Sequence, residues 1–146
     1  MYPYLLMVHG AWRWAVLGLG VAAVALALRG LLQKLPWEPR TALMTQLFGI
    51  AVDSQVLMGA ALYLTLPSLT TVALKEVDAS AGSDHFIGLD HAAVMIAALI
   101  VVHVGAVMVR RASSDAARHR RALLSYGLAL LLILIGTPWW RPLLRL

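Results

Sequence analysis

The chain is short, strongly apolar and basic, and these properties narrow its class. It has 146 residues, of which 61% are hydrophobic, a mean hydropathy of +0.80 and a formal net charge of +5. Because soluble domains are usually about 45–50% apolar, this excess indicates a membrane protein. Cysteine is absent, which excludes disulfides, thiolate metal sites and cysteine nucleophiles.

The apolar residues fall into four stretches, each close to the ~20 residues that a helix needs to cross a bilayer. The predicted spans cover about residues 8–29, 42–65, 89–109 and 121–138. Since backbone groups cannot stay unpaired in lipid, we expect an all-α, four-helix transmembrane bundle with up-down topology. The whole chain, 1–146, then forms a single integral membrane domain.

The basic residues lie mostly in two predicted loops and indicate the orientation across the membrane. The loops after the first and third spans carry eight of them: Arg29, Lys34, Arg40, Arg110, Arg111, Arg118, Arg120 and Arg121. The opposite side carries three: Lys75, Arg141 and Arg145. The positive-inside rule therefore predicts that both termini lie outside the cytoplasm. Because the charges cluster at helix ends, we expect contact with the lipid bilayer and no nucleic acid partner.

Two histidines lie near the outer ends of the first and third predicted spans. His9 and His91 should share a depth, and these two spans lie diagonally in an up-down bundle. Two neutral imidazoles in that arrangement suit the axial ligation of one haem iron. Arg13 lies one turn deeper than His9 on the same helix face, where it can pair with a haem propionate or reach the headgroups. The plainer alternative is that His9 is an interfacial residue that reaches water and that His91, directly after Asp90, is a helix N-terminal residue without a ligand role.

A second polar pair is predicted deeper in the membrane. Asp53 and His103 each lie 12 residues, about 18 Å, from the outer edge of their spans. The second and third spans are consecutive and antiparallel, so the two side chains should meet. They are either a structural pair or groups that carry protons. His119, in the basic loop, is expected to be solvated or to face lipid.

Four short motifs can be compared with a known pattern. They are VHGAWRW at 8–14, SQVLMGAALY at 54–63, DHAAVMIA at 90–97 and GTPWW at 136–140. In this order they resemble a family of small four-span bacterial membrane proteins labelled cytochrome-b-like. Asp53 stands where that pattern often has a histidine, which removes a ligand that a second haem would need. The residues that match the pattern are His9, Arg13, Trp14, Gln55, His91 and Pro138.

The resemblance implies a b-type haem and electron transfer in the bacterial inner (cytoplasmic) membrane, with quinol and a redox partner protein as partners. Both an electron-transfer protein and a subunit of a membrane oxidoreductase fit this description. A non-enzymatic membrane subunit or assembly factor of a larger complex is the alternative. A proton-coupled carrier that uses Asp53 ranks lowest, because four spans would require a homo-oligomer and no inverted repeat is visible.

Overall fold

Four long helices make up almost all of the described chain. The computed structural model describes residues 2–65 and 90–139. The helices are α1 (Tyr2–Leu32), α2 (Pro39–Thr65), α3 (His91–Arg110) and α4 (Asp115–Gly136), and the described residues include no strand. This confirms the predicted all-α, four-helix bundle. Each helix is long and apolar enough to cross a membrane, as in a multi-pass membrane protein in contact with lipid.

The helices pack around a ring in chain order. α1 packs against α2, α3 against α4 and α1 against α4, and the contact between α2 and α3 is the least extensive of these. At one end of the bundle, His9 near the start of α1 meets His91 at the start of α3. At the other end, Gly30 near the end of α1 meets His119 near the start of α4. Consecutive helices are therefore antiparallel, and α1 and α3 lie diagonally across the bundle.

Two helix starts have local causes in the sequence. α2 begins with Pro39, whose fixed φ and missing N–H suit the first position of a helix. Ser114 caps α4 from an extended backbone, and its hydroxyl accepts the N–H of Ala117 at 3.2 Å. Asp115 in the first turn of α4 adds a negative charge at the positive end of the helix dipole.

Two helices begin earlier in the chain than the predicted spans. α1 begins at Tyr2 instead of about residue 8, and α4 begins at Asp115 instead of about residue 121. For α4 the prediction followed hydropathy, whereas the helical hydrogen bonds begin in the polar residues before the apolar stretch. The residues that carry the outer-side charges lie in 66–89 and 140–146, outside the described residues, so the orientation of the chain stays a prediction.

Each helix contributes one of the larger buried side chains of the core. These are Val16, Phe48, Val102 and Tyr126. The rings of Phe48 and Tyr126 meet edge to face, with centroids 6.0 Å apart. Fully or almost fully buried alanines surround them: Ala23, Ala27, Ala51, Ala98, Ala122 and Ala129. Small residues let the helices approach closely, and such packing is a main source of helix association in lipid.

The end of α1 contains a residue with left-handed backbone. Lys34 has a φ of 53°, and the N–H of Leu35 donates to the carbonyl of Gly30 at 2.9 Å. This is the Schellman ending, in which glycine is the favoured residue at the Lys34 position. We expect Lys34→Gly to raise the free energy of unfolding by about 0.5–1 kcal/mol, measured by thermal unfolding in detergent. Gln33→Gly is the control, since Gln33 has no positive φ; equal effects of both glycines would contradict this explanation.

Candidate functional site

His9 lies inside the bundle and not at the outer edge of its helix. It follows the start of α1 at Tyr2 by seven residues, about 10 Å. The α2 residues that face it, Gln55 and Gly59, also precede the end of α2 by more than one turn. His9 is therefore deeper than the sequence predicted. We call the group it belongs to the histidine layer, made up of His9, Gln55, Gly59, His91 and Gly136.

The two imidazoles of the histidine layer approach each other across the diagonal of the bundle. The ring centroids of His9 and His91 lie 6.5 Å apart, with the ring planes at 81°. A metal bound to one nitrogen of each ring, at about 2 Å, would separate the centroids by roughly 6 Å. Axial imidazoles can take any mutual angle about the line through the metal. The centroid spacing is close to that of two imidazoles on one metal ion, and the ring planes are nearly perpendicular.

A backbone carbonyl orients His91. Its Nδ1 lies 2.7 Å from the carbonyl oxygen of Gly136, at the end of α4. Since a carbonyl only accepts, Nδ1 carries the proton and donates, and in the neutral ring Nε2 is left with its lone pair. A hydrogen bond of this kind typically holds a metal-ligating histidine in its tautomer and orientation. The hydrogen bond therefore fixes the orientation of the His91 ring against the end of α4.

An amide from α2 contacts His9. The Gln55 side-chain NH₂ donates to Nε2 of His9 at 3.2 Å and to the His9 carbonyl at 3.1 Å. In this arrangement Nδ1 of His9 carries the proton. That nitrogen and Oε1 of Gln55 are buried without a hydrogen-bond partner among the described residues. Because buried polar atoms are nearly always satisfied, these two atoms could each take one further hydrogen bond.

Gly59 on α2 leaves space for the His9 ring because it has no side chain. A Cβ at Gly59 would lie 3.2 Å from Cε1 of His9, closer than most such contacts allow. The position of Gly59 beside the ring depends on the tertiary structure. The carbonyl of Gly136 was missed for a related reason, because a backbone acceptor leaves no side-chain signal in the sequence.

Arg13 follows His9 by one turn of α1 and lies on the same side of the helix. Its guanidinium carbon is 5.9 Å from the centroid of the Trp14 ring. Such a distance permits a cation–π contact, which steadies an arginine side chain. The positive charge therefore stays within one turn of the imidazole of His9.

Asp53 and His103 meet as the antiparallel arrangement of α2 and α3 predicts. Nε2 of His103 lies 2.8 Å from Oδ1 of Asp53. Both side chains are nevertheless exposed, His103 by 60% and Asp53 by 40%, so the pair lies on the outer surface of the bundle. In a membrane, lipid would surround this part of the bundle surface.

The distance between the two polar layers differs between helices. Along α3, His91 and His103 are 12 residues apart, about 18 Å. Along α2, Gly59 beside His9 and Asp53 are six residues apart, about 9 Å. The sequence-based depth assumed that all four spans end in one plane. Because residues 66–89 lie outside the described residues, the levels at which the second and third spans end stay a prediction.

The prediction that His119 is solvated or lipid-facing is wrong. Its side chain is 1% exposed and packs against Gly30 and against the ring of Trp37, at a centroid distance of 4.9 Å. Its Nε2 donates to the carbonyl of Pro36 at 3.3 Å. Position among arginines misled the prediction, since arginine side chains reach outward while the histidine between them points into the bundle.

The donor set of the candidate site consists of two imidazoles. Among the described residues, no three His, Asp or Glu side chains gather as possible ligands of a metal ion. Comparisons of the chain with protein-family models, curated proteins and solved structures found no match in any of the three.

Proposed function

We propose that this chain holds one b-type haem between His9 and His91 and transfers electrons in the bacterial inner membrane. The observation that carries the proposal is the 6.5 Å spacing of the two imidazoles on diagonal helices. Diagonal helices of a bundle are where cofactors that need ligands from two sides are usually held. A bound haem would supply one-electron oxidation and reduction within the apolar part of the membrane.

The surrounding groups support this assignment. The hydrogen bond from Nδ1 of His91 to Gly136 would orient the ring for ligation of the iron through Nε2. Ligation through Nε2 of His9 would take the place of its hydrogen bond with Gln55. Arg13, one turn away on α1, supplies a positive charge for a propionate. Quinol in the lipid and a redox protein outside the membrane are the partners that such a site would serve.

The absorption spectrum of the purified protein tests the proposal. Protein made in haem-replete cells and purified in mild detergent should be red, with a Soret band and a sharp band in the visible region after reduction. Extraction and quantification should give one haem per chain. A colourless preparation from cells that load a control haem protein would contradict the proposal.

A non-enzymatic membrane subunit is the second candidate. The observation that favours it is that hydrogen bonds of the histidine layer join helices in pairs, α1 to α2 through Gln55 and α3 to α4 through Gly136. Such bonds can hold helices together in lipid. This function predicts co-purification with a larger complex, with haem absent from the complex and an unchanged yield after His9→Ala.

A further inference from the structure

The Asp53–His103 pair lies where a membrane helix normally presents aliphatic side chains to lipid. Asp53 is 12 residues from the end of α2 and 14 from its start, so it is near mid-membrane. With His103 60% exposed and Asp53 40% exposed, neither polar group is covered by the bundle. Charged and strongly polar side chains inside a membrane almost always face another helix or a cavity.

Further exposed residues extend this surface along α2. Leu43, Ile50, Leu57 and Leu64 recur every seven residues and are 50%, 53%, 69% and 78% exposed. Exposed Gln46 and half-exposed Asp53 alternate with them, also seven residues apart. Residues along the outward side of any helix recur at this spacing. Polar residues that alternate with the apolar ones, however, are typical of helices that pair with another helix. We call the surface formed by these six residues and His103 the docking face.

The polar groups of the docking face have capacity for further hydrogen bonds. Within the described chain, the amide of Gln46 makes no hydrogen bond, and Asp53 and His103 bond only to each other. Lipid tails offer no partner for the amide, the second carboxylate oxygen or the second imidazole nitrogen. The opposite side of the bundle differs, since the outward side chains of α4 are aliphatic: Leu124, Leu128, Leu131 and Ile135.

We propose that a second copy of this chain covers the docking face, with α2 of each copy packed against α2 of the other. Copies of one chain inserted in the same orientation carry each residue at the same depth. A two-fold axis along the membrane normal therefore brings Gln46 to the partner's Gln46, where each amide can donate and accept. The same axis places the two Asp53–His103 pairs at one depth across the interface. The weak contact between α2 and α3 leaves this side of the bundle open to the partner.

Cysteine cross-linking in membranes tests the proposal, because the natural chain has no cysteine. Ile50→Cys is on the docking face and Leu131→Cys is the matched control on α4, with native side chains 53% and 52% exposed. Disulfides form only when the two Cα atoms come within about 7 Å. Mild oxidation of membranes or dilute proteoliposomes should therefore link Ile50→Cys into a dimer and leave Leu131→Cys monomeric.

The contribution of the polar residues to dimer association is tested in the Ile50→Cys variant. Adding Gln46→Leu and Asp53→Leu to Ile50→Cys should weaken dimer association about tenfold, lowering the linked fraction in dilute vesicles. If the triple variant fails to fold, Gln46→Leu with Ile50→Cys provides the same comparison. Equal linking of Ile50→Cys and Leu131→Cys would overturn the proposal. So would linking of Ile50→Cys to a chain of different mass in native membranes. Haem content plays no part in these measurements.

Discussion

Replacing His91 with alanine should lower the haem content at least about tenfold, because the variant loses an axial ligand. Even changes in groups that only support a metal ligand typically lower metal affinity or activity 10–100-fold. His9→Ala should have the same effect, since the two rings face each other at 6.5 Å. The measurement is the ratio of the Soret absorbance to the protein absorbance after purification. Helix content by circular dichroism shows whether each variant is folded.

His103→Ala is the matched control for the loss of haem. His103 is on the same helix as His91 but 12 residues away, and it is exposed on the docking face. Its replacement should leave the Soret band unchanged. Imidazole added to His91→Ala should restore part of the absorbance, which a purely structural histidine would not allow. Equal haem contents in His91→Ala and wild-type protein would contradict the assigned ligand.

Gly30→Ala should cause the largest loss of stability. A Cβ at this position would overlap the ring of His119, which is 1% exposed and has no space to move into. Overpacking of this kind typically costs 1–3 kcal/mol, and we expect a loss of about 2–3 kcal/mol in the free energy of unfolding. Unfolding in detergent followed by tryptophan fluorescence provides the measurement.

A second glycine of the same helix controls for the change of residue type. A Cβ at Gly18 meets nothing within 4 Å, so Gly18→Ala should be neutral or should stabilise α1 by up to about 1 kcal/mol. Combining Gly30→Ala with His119→Ala should recover part of the stability, because it removes the overlapping ring. If Gly30→Ala behaved like Gly18→Ala, the close packing of α1 against His119 would be wrong.

The sequence predicted the fold for reasons that do not depend on detailed packing. Four apolar stretches of sufficient length require four helices in lipid, and consecutive helices are antiparallel because the chain crosses the membrane at each span. The same reasoning placed Asp53 opposite His103, and the structure joins them at 2.8 Å. It also placed His9 and His91 at one end of the bundle on diagonal helices, where their rings are found.

The depth of each residue in the membrane and the direction of its side chain were harder to predict from the sequence alone. Hydropathy located the start of α1 near residue 8, so His9 was assigned to the membrane edge, while the helix begins at Tyr2. The exposure of the Asp53–His103 pair also went unpredicted, because burial depends on the angle at which α2 and α3 meet. His119 was misassigned because the charges of its neighbours say nothing about the direction of its own side chain.

Composition and periodicity by themselves determined that this is an all-α bundle with four helices able to span a membrane, since the cost of unpaired backbone in lipid leaves few other solutions. They also determined which helices carry the candidate ligands. Only the tertiary structure decided which polar atoms come together: His91 with the Gly136 carbonyl, His9 with Gln55, and His119 with Gly30. These contacts depend on how far each helix extends and how it is rotated, and both are set by side-chain packing between helices.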